Sequence, residues 1–438
     1  MKTKTFRKDK INIITLGCSK NLVDSEVLSE QLSANDYKIV HENRKKDHNI
    51  VIVNTCGFID KAKQESVNTI LQQVELKRRG KLDKVYVTGC LSERYKNNLE
   101  KEIPEVDAFF GTMDLPFLLK QFEVDYKAEL VGERLLSTPS HYAYLKISEG
   151  CNRTCSFCAI PLMRGKHISR TIESLVNEAK RLVEKGVKEI MLIAQELTYY
   201  GLDIYKKREL PRLLHALADI KGLEWIRLHY AYPSKFPMEI IDAMKERENI
   251  CNYLDMPLQH ASNRVLKEMK RQITKEEMED IIGEIKNKIP GICLRTTLIS
   301  GFPGETQDDV EELKSFLQKM RFDRVGIFSY SHEEGTAAFD LEDDVPEAIK
   351  EKRAQEIMEV QLEISYQKNL EKIGNIFKVI IDKKEAGKYL GRTEFDSVEV
   401  DNEVLIKSDK KLVPGNFVQV KITDAYDYDL EGEVISAW

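Results

Sequence analysis

The stretch from Gly150 to Pro161, Gly-Cys-Asn-Arg-Thr-Cys-Ser-Phe-Cys-Ala-Ile-Pro, limits what the rest of this chain can be. Cys151, Cys155 and Cys158 stand at a C-x3-C-x2-C spacing, so one short loop can turn three thiolates toward three corners of an iron–sulfur cube. The fourth iron is then left without a protein ligand. An electron-transfer [4Fe–4S] cluster ordinarily takes four cysteines, whereas a metal site that acts on a substrate keeps one position open. A structural zinc site would close with four ligands, and no fourth Cys or His falls at short spacing. Three buried cysteines that merely lie close remain the plain alternative.

A length of 438 residues suggests about three domains. No apolar run reaches the roughly 18 residues of a membrane span. A net charge of −6 argues against a chain whose main business is wrapping nucleic acid. Ile11 to Leu16 followed by Gly17-Cys18 has the outline of a lipoprotein signal, but it is short, carries Asn12 and runs on without a spacer. The expectation is a cytoplasmic protein with reduced, metal-binding cysteines.

Three segments near the start share one form: Ile11 to Cys18, Ile50 to Cys56 and Val85 to Cys90 are apolar, β-rich runs that end in a cysteine. Polar stretches with helical spacing follow them, at Asp24 to Leu32, Ala62 to Leu76 and Ser92 to Leu99. Strands alternating with helices predict a parallel sheet covered on both faces. Ligands bind at the carboxyl ends of such strands, and Cys18, Cys56 and Cys90 all fall there. The pattern is open to two readings, a second three-cysteine cluster site or three unrelated buried cysteines.

Residues 123–140 read as a linker. Six strand candidates follow: Tyr144–Ser148, Glu189–Ala194, Trp225–Tyr230, Tyr253–Leu258, Cys293–Ser300 and Arg324–Tyr330. Helical stretches separate them, clearest at Ile172–Lys185, Glu239–Arg247, Lys275–Lys288 and Asp308–Met320. This predicts an open (β/α)6 barrel, an incomplete version of the eight-unit form, with its chemistry at the C-terminal strand ends. Gln195 and Glu196 follow the second strand, Tyr230 and Tyr232 the third, Gln259 and His260 the fourth. Gly301-Phe-Pro-Gly304-Glu305 follows the fifth as a turn that lets backbone approach a ligand, or as a plain β–α turn. Arg164 and Arg170 could each hold a carboxylate in bidentate fashion, or be solvated surface arginines. Cys251 and Cys293 begin strands and read as core.

Pro346 to Lys372 is charged and helical. Short alternating strands follow, at Phe377–Ile381, Tyr389–Thr393, Ser397–Val400, Phe417–Ile422 and Glu431–Ile435, which predict a small five-stranded antiparallel β-barrel, OB-like in size. From Glu371 on, 14 acidic side chains face 10 basic ones, a net of −4. A barrel that gripped tRNA should be basic. Asp424, Asp427, Asp429, Glu431 and Glu433 suit a basic protein partner better, or serve solubility alone.

The cysteine loop with the six-unit barrel resembles the radical S-adenosylmethionine (SAM) superfamily, in which the open iron chelates SAM. Leu16-Gly-Cys-Ser-Lys-Asn-Leu-Val-Asp-Ser-Glu26, with Asn54-Thr-Cys-Gly-Phe58 and Thr88-Gly-Cys90, resembles the methylthiotransferases of that superfamily. Met163-Arg-Gly-Lys-His-Ile-Ser-Arg170 is similar to a stretch of the same family, and the last barrel resembles its TRAM domain. The resemblance implies an N-terminal methylthiotransferase domain (10–122), a radical SAM core (141–370) and a TRAM domain (371–438). It implies a [4Fe–4S] cluster on Cys151, Cys155 and Cys158, and an auxiliary one on Cys18, Cys56 and Cys90 that carries the sulfur to be transferred. Gln195, Gly301, Gly304, Glu305, Arg164 and Arg170 are the expected cofactor-binding residues.

Gly17-Cys-Ser-Lys-Asn21, Ser148-Glu-Gly150 and Ala194-Gln-Glu-Leu-Thr-Tyr-Tyr-Gly201 look like the branch that acts on a ribosomal protein rather than on a tRNA adenosine. That branch implies methylthiolation of an aspartate β-carbon in protein twelve of the small ribosomal subunit, free or within the ribosome, with two SAM per product. An electron donor and a sulfur donor are required, and the sequence names neither. The competing readings are the tRNA enzyme and a non-catalytic module with a redox-sensing cluster and an RNA-gripping barrel.

Overall fold

A computed structural model describes residues 9–42, 47–127, 130 and 132–437. The chain divides into two compact units, the first made of Met1–Thr138, Ser148–Asn152 and Ala159–Arg181, the second of Pro139–Ile147, Arg153–Cys158 and Leu182–Trp438. Among the described residues no helix is long and apolar enough to cross a membrane.

The first unit is built on a parallel sheet of β1 (Lys10–Thr15), β2 (Lys38–His41), β3 (Ile50–Thr55), β4 (Lys84–Gly89) and β5 (Ala108–Phe109), in the order β2-β1-β3-β4-β5. Every residue of β3 is buried. Ile50 and Ile52 pack on one face with Ile11, Ile13, Leu28 and Leu32, while Val51 and Val53 pack on the other with Ile70, Val74, Val85 and Val87. Alternate side chains of a strand point to opposite faces, so an uninterrupted apolar run must be covered twice. Helix α1 (Ser19–Ser33) covers the first face, and α2 (Asp60–Arg78) with α3 (Cys90–Glu102) covers the second. The expected alternation is present; the polar edge strand β2 and the two-residue β5 are added to it.

Described residues of the segment 123–140 are held by partners in the first unit. Val124 joins the core beside Phe122. Arg134, its side chain 1% exposed, pairs with Glu26 at 3.0 Å and Glu178 at 2.9 Å, and Glu26 also accepts from the Ser137 amide and hydroxyl. Ala128, Glu129 and Val131 lie outside the described residues. Later in this unit Ser148–Glu149 (β7) pairs antiparallel with Ile168–Ser169 (β8).

In the second unit β6 (Tyr142–Lys146), β9 (Glu189–Ile193), β10 (Trp225–Leu228), β11 (Ile250–Asp255), β12 (Cys293–Ser300) and β13 (Arg324–Ser329) form a six-stranded parallel sheet in sequence order. Helices lie where the periodicity predicts them, at Ile172–Glu184, most of which belongs to the first unit, and at Glu239–Glu246, Lys275–Lys288 and Gln307–Met320. Two of them start at capping boxes, Thr274 with Glu277 and Thr306 with Asp309, each satisfying amide groups that the first turn leaves free. Helix Glu347–Leu370 then leads to a closed barrel of β14 (Ile376–Glu385), β15 (Lys388–Thr393), β16 (Val404–Lys407), β17 (Phe417–Ala425) and β18 (Leu430–Ala437). All its pairings are antiparallel except β16 with β18, which closes it in parallel.

The strand expected at Ser397–Val400 is a loop, and β16 takes its place. Its polar groups serve the six-stranded sheet instead: Ser397 Oγ meets His229 Nε2 at 3.0 Å, and Asp401 accepts from Tyr253 Oη at 2.7 Å and from the Ser397 amide. Around it, Trp225, Cys251, Tyr253 and Cys293 share a core with Ile380 and Phe417, so Cys251 and Cys293 are core residues. Buried charges tie the same surface. Glu189 accepts from Arg227 at 2.9 Å and Arg392 at 2.7 Å, and Arg392 also holds Asp382. Removing one partner of such a network strands the others, typically at about 3–5 kcal/mol. Glu189→Ala is therefore expected to lower stability by about that much, read as a fall in the urea midpoint. Lys383→Ala, which removes only the exposed pair with Glu385, should leave the midpoint where it is.

Candidate functional site

At the carboxyl edge of the first unit's sheet, Cys18 is the N-cap of α1, Cys56 follows the end of β3, and Cys90 opens α3 directly after Gly89. Their approach requires missing side chains. Gly17 has φ +92°, and a Cβ there would lie 2.8 Å from Cys56 Cβ and 2.9 Å from its Sγ. At Gly89, φ +98°, a Cβ would lie 2.5 Å from the Thr55 carbonyl oxygen. Only glycine takes such positions without strain or collision.

Amide side chains then tie the strand tips. Asn21 Nδ2 donates to the Leu16 carbonyl at 2.7 Å and to the Thr55 carbonyl at 3.1 Å. Asn54 Nδ2 donates back to the Asn21 carbonyl at 2.9 Å, and Thr55 Oγ1 to the Thr88 carbonyl at 2.6 Å. Ser66 Oγ receives the Cys56 amide and donates to the Cys56 carbonyl. The Asn of Gly-Cys-Ser-Lys-Asn and the Asn of Asn-Thr-Cys are thus the clamps that gather the cysteines.

Cys56 and Cys90 are buried and Cys18 is exposed, so the trio opens on one side. Burial pushes the Cys90 thiol up to about 12 and raises Cys56 as well. Thiols so placed stay protonated until a metal displaces the proton. Among the described residues no three His, Cys, Asp or Glu gather tightly enough for a single metal ion. A multi-iron cluster asks less of the protein, because each thiolate binds a different metal atom, and three sulfur donors with an open side fit it.

The central loop is shared between the units, Ser148–Asn152 in the first and Arg153–Cys158 in the second. Cys151, Cys155 and Cys158 are all half-buried. In the first unit the Cys151 amide donates to the Gly165 carbonyl at 3.1 Å. Gly150, at φ +69°, passes so close that a Cβ would lie 2.6 Å from the same oxygen. In the second unit Ser156 pins the loop, its amide to the Met269 carbonyl and its hydroxyl to the Glu268 carbonyl at 2.7 Å. Arg271 Nη1 donates to Cys155 Sγ at 3.2 Å, and Tyr232 Oη lies 3.8 Å from that sulfur. Arg153 is stacked between the rings of Tyr199 and Tyr232, at 3.9 and 3.8 Å, and pairs with Glu196 at 3.1 Å.

The other expected residues divide. Gln195 Oε1 is buried and has no hydrogen-bond partner, and Gln259 Oε1 at the neighbouring strand end is in the same state. A buried acceptor left open is costly unless a ligand answers it. Glu305 shapes its own turn, since both carboxylate oxygens receive the Gly301 amide at 2.9 Å and Oε1 receives Arg353 at 3.0 Å. Gly304 donates its amide to Asp344, and its carbonyl accepts from Arg264. The guanidinium groups of Arg164 and Arg170 already hold carboxylates of the chain itself. Arg164 pairs with Asp24 at 2.6 Å and Glu149 at 3.3 Å, and Arg170 with Glu178 at 2.6 Å. Sequence reasoning passed over Arg271, which lies 116 residues from Cys155 in no recognisable motif.

Comparison with known proteins follows this division. Residues 145–317 match the radical SAM superfamily, residues 10–111 the uncharacterized protein family UPF0004, and residues 373–435 the TRAM domain. The chain is 59% identical, over 99% of its length and 100% of the relative's, to ribosomal protein uS12 methylthiotransferase RimO of Flavobacterium psychrophilum. Its identity to the RimO proteins of Cytophaga hutchinsonii and Bacteroides thetaiotaomicron is 57% and 52%, each over 99% of this chain and 100% of the relative. Among solved structures, the radical SAM methyltransferase TsrM of Kitasatospora setae shares the fold at TM-score 0.55 and 16% identity, covering 74% of this chain and 75% of that one.

Gly89→Ala tests the closing of the strand tips. It should leave the helical and strand content intact by circular dichroism, cost about 1–3 kcal/mol through overpacking, and lower the iron bound per chain after anaerobic reconstitution.

Proposed function

The chain belongs to the family of ribosomal protein uS12 methylthiotransferases of the RimO type, and on that premise we propose that it adds a methylthio group to the β-carbon of an aspartate in uS12. The observation that carries the reading is the presence of two cysteine trios, one gathered at the strand tips beneath Gly17 and Gly89, one on the central loop, within a chain that matches its relatives end to end. When bound, two [4Fe–4S] clusters and SAM supply the one-electron chemistry that opens an unactivated C–H bond and the sulfur that replaces the hydrogen.

The division of labour proposed for the chain has residues 10–122 carrying the sulfur-bearing cluster, residues 141–370 cleaving SAM and residues 371–438 meeting the substrate. Cys18, Cys56 and Cys90 would hold the first cluster, and Cys151, Cys155 and Cys158 the second. The unanswered Gln195 Oε1 and the Gly301–Glu305 turn would receive SAM, with Glu305 holding that turn open toward the ligand. Ser156, fixed by Met269 and Glu268, would hold the loop in place.

For the substrate, the acidic count of the last barrel narrows on inspection. Glu431 is buried and answered by Lys388 and Lys407, and Asp429 accepts the Glu403 amide. Asp424, Asp427 and Glu433 remain exposed, beside the exposed rings of Tyr426 and Tyr428. A basic protein such as uS12 suits these carboxylates, and a tRNA backbone does not. The protein would work in the cytoplasm, where its eight cysteines stay reduced.

The substrate is tested by anaerobic competition, with reconstituted enzyme, SAM, reductant and sulfide offered uS12 and unmodified tRNA together. Mass spectrometry should find the methylthio group on the protein; finding it on tRNA would refute the substrate. Replacing Cys18, Cys56 and Cys90 with Ala should remove one cluster's iron and stop thiolation while SAM cleavage persists, and unchanged iron would sink the ligand assignment. Asp424→Lys, Asp427→Lys and Glu433→Lys together should raise KM for uS12 with little change in kcat, an outcome that solubility alone does not produce.

A further inference from the structure

Arg271 is an ion without a counter-ion. It is 3% exposed. Its Nη1 donates to Cys155 Sγ at 3.2 Å and its Nη2 to the Pro257 carbonyl at 2.5 Å, while Nε is buried with no hydrogen-bond partner. Its guanidinium carbon lies 4.2 Å from the centre of the Tyr232 ring, on which Arg153 also stacks. Arg153 has its carboxylate in Glu196, and Arg164 has two in Asp24 and Glu149. Among the described residues no carboxylate pairs with Arg271. A buried cation that lacks an anion costs several kcal/mol, and the thiol of Cys155, to which Arg271 donates, becomes an anion when it binds a metal.

We propose that Arg271 is the counter-cation of the cluster on Cys151, Cys155 and Cys158, donating a hydrogen bond to the Cys155 sulfur and so raising that cluster's reduction potential. The inference rests on the two-cluster reading above. A metal-bound thiolate is an anion, so the cluster answers the charge that the protein alone leaves open. Net charge and hydrogen bonds to the sulfurs are the levers that set such potentials. One-electron reduction adds negative charge to the cluster, and a fixed cation beside it favours the reduced form. Arg271 is therefore a positioning and tuning residue rather than a catalytic one. Tyr232 also holds the backbone of this residue, its hydroxyl donating to the Arg271 carbonyl at 2.7 Å.

The test uses the full chain with Cys18, Cys56 and Cys90 changed to Ala, so that one cluster remains, reconstituted and titrated with dithionite under EPR. Arg271→Met should shift the reduction equilibrium about tenfold toward the oxidised form, about 59 mV downward for one electron. Arg271→Lys, which keeps the charge but not the planar fork, should recover part of the shift. An unchanged midpoint at full iron content would overturn the proposal, as would an unchanged midpoint with weakened SAM binding, which would give Arg271 to the SAM carboxylate. Should both variants fail to hold iron, the parent protein decides. Labelled with 15N-arginine, its reduced cluster should show a 15N hyperfine coupling in pulsed EPR, and no coupling would overturn the assignment. Absence of the cluster from the parent itself would fail the two-cluster reading instead.

Discussion

The convergence of three strand tips in the first unit rests on atoms that are absent. Gly17 and Gly89 leave room where any Cβ would strike Cys56 or the Thr55 backbone, and Asn21 and Asn54 then lock the tips through main-chain carbonyls. The parallel sheet makes this possible, because it delivers every strand's carboxyl end to one edge. Its helices contribute as well: α1 and α3 begin at Cys18 and Cys90, so their positive N-terminal ends lie at the thiols and favour an anionic cluster.

The second unit meets a different problem. A six-stranded open barrel leaves polar side chains such as Glu189, Arg227, Tyr253 and Arg295 within its core, where each needs a partner. The last barrel supplies them. Arg392 answers Glu189, Asp401 answers Tyr253 and Arg295, and Asp396 answers Arg324. A network of this kind adds little net stability over an apolar core, but removing any one member is expensive. Its effect is to fix one arrangement of the small barrel against the sheet, with Trp225 stacked edge-on against Phe417 at 4.9 Å.

Charge is distributed unevenly between the two sites. Arg164, in the first unit, is surrounded by Asp24 and Glu149, and Asn21 Oδ1 accepts from it as well. Arg271, in the second, is left to Cys155 and a carbonyl. One trio thus lies beside a guanidinium whose charge is neutralised and the other beside one whose charge no carboxylate answers.

Much of this was legible in the sequence. The cysteine spacings, the apolar runs of β3 and β4 and the capping boxes at Thr274 and Thr306 are local patterns, and local patterns survive in one dimension. Family membership was legible for the same reason, through Leu16 to Glu26 and the central loop. The error at Ser397–Val400 has a physical source: an alternating polar and apolar segment reads as a strand, yet its hydroxyl and carboxylate neighbours are claimed by His229 and Tyr253, far away in the chain. The pairs that Arg164 and Arg170 make were not legible for a like reason, since a sequence shows that a guanidinium is present but not which carboxylate of the chain it meets. The sequence by itself determined the cysteine spacings and the order of α/β units, because both depend on residue type and short spacing. Only the tertiary structure decided which charges are answered and which, like Arg271, are not, because pairing over more than a hundred residues depends on distances that exist only once the chain has folded.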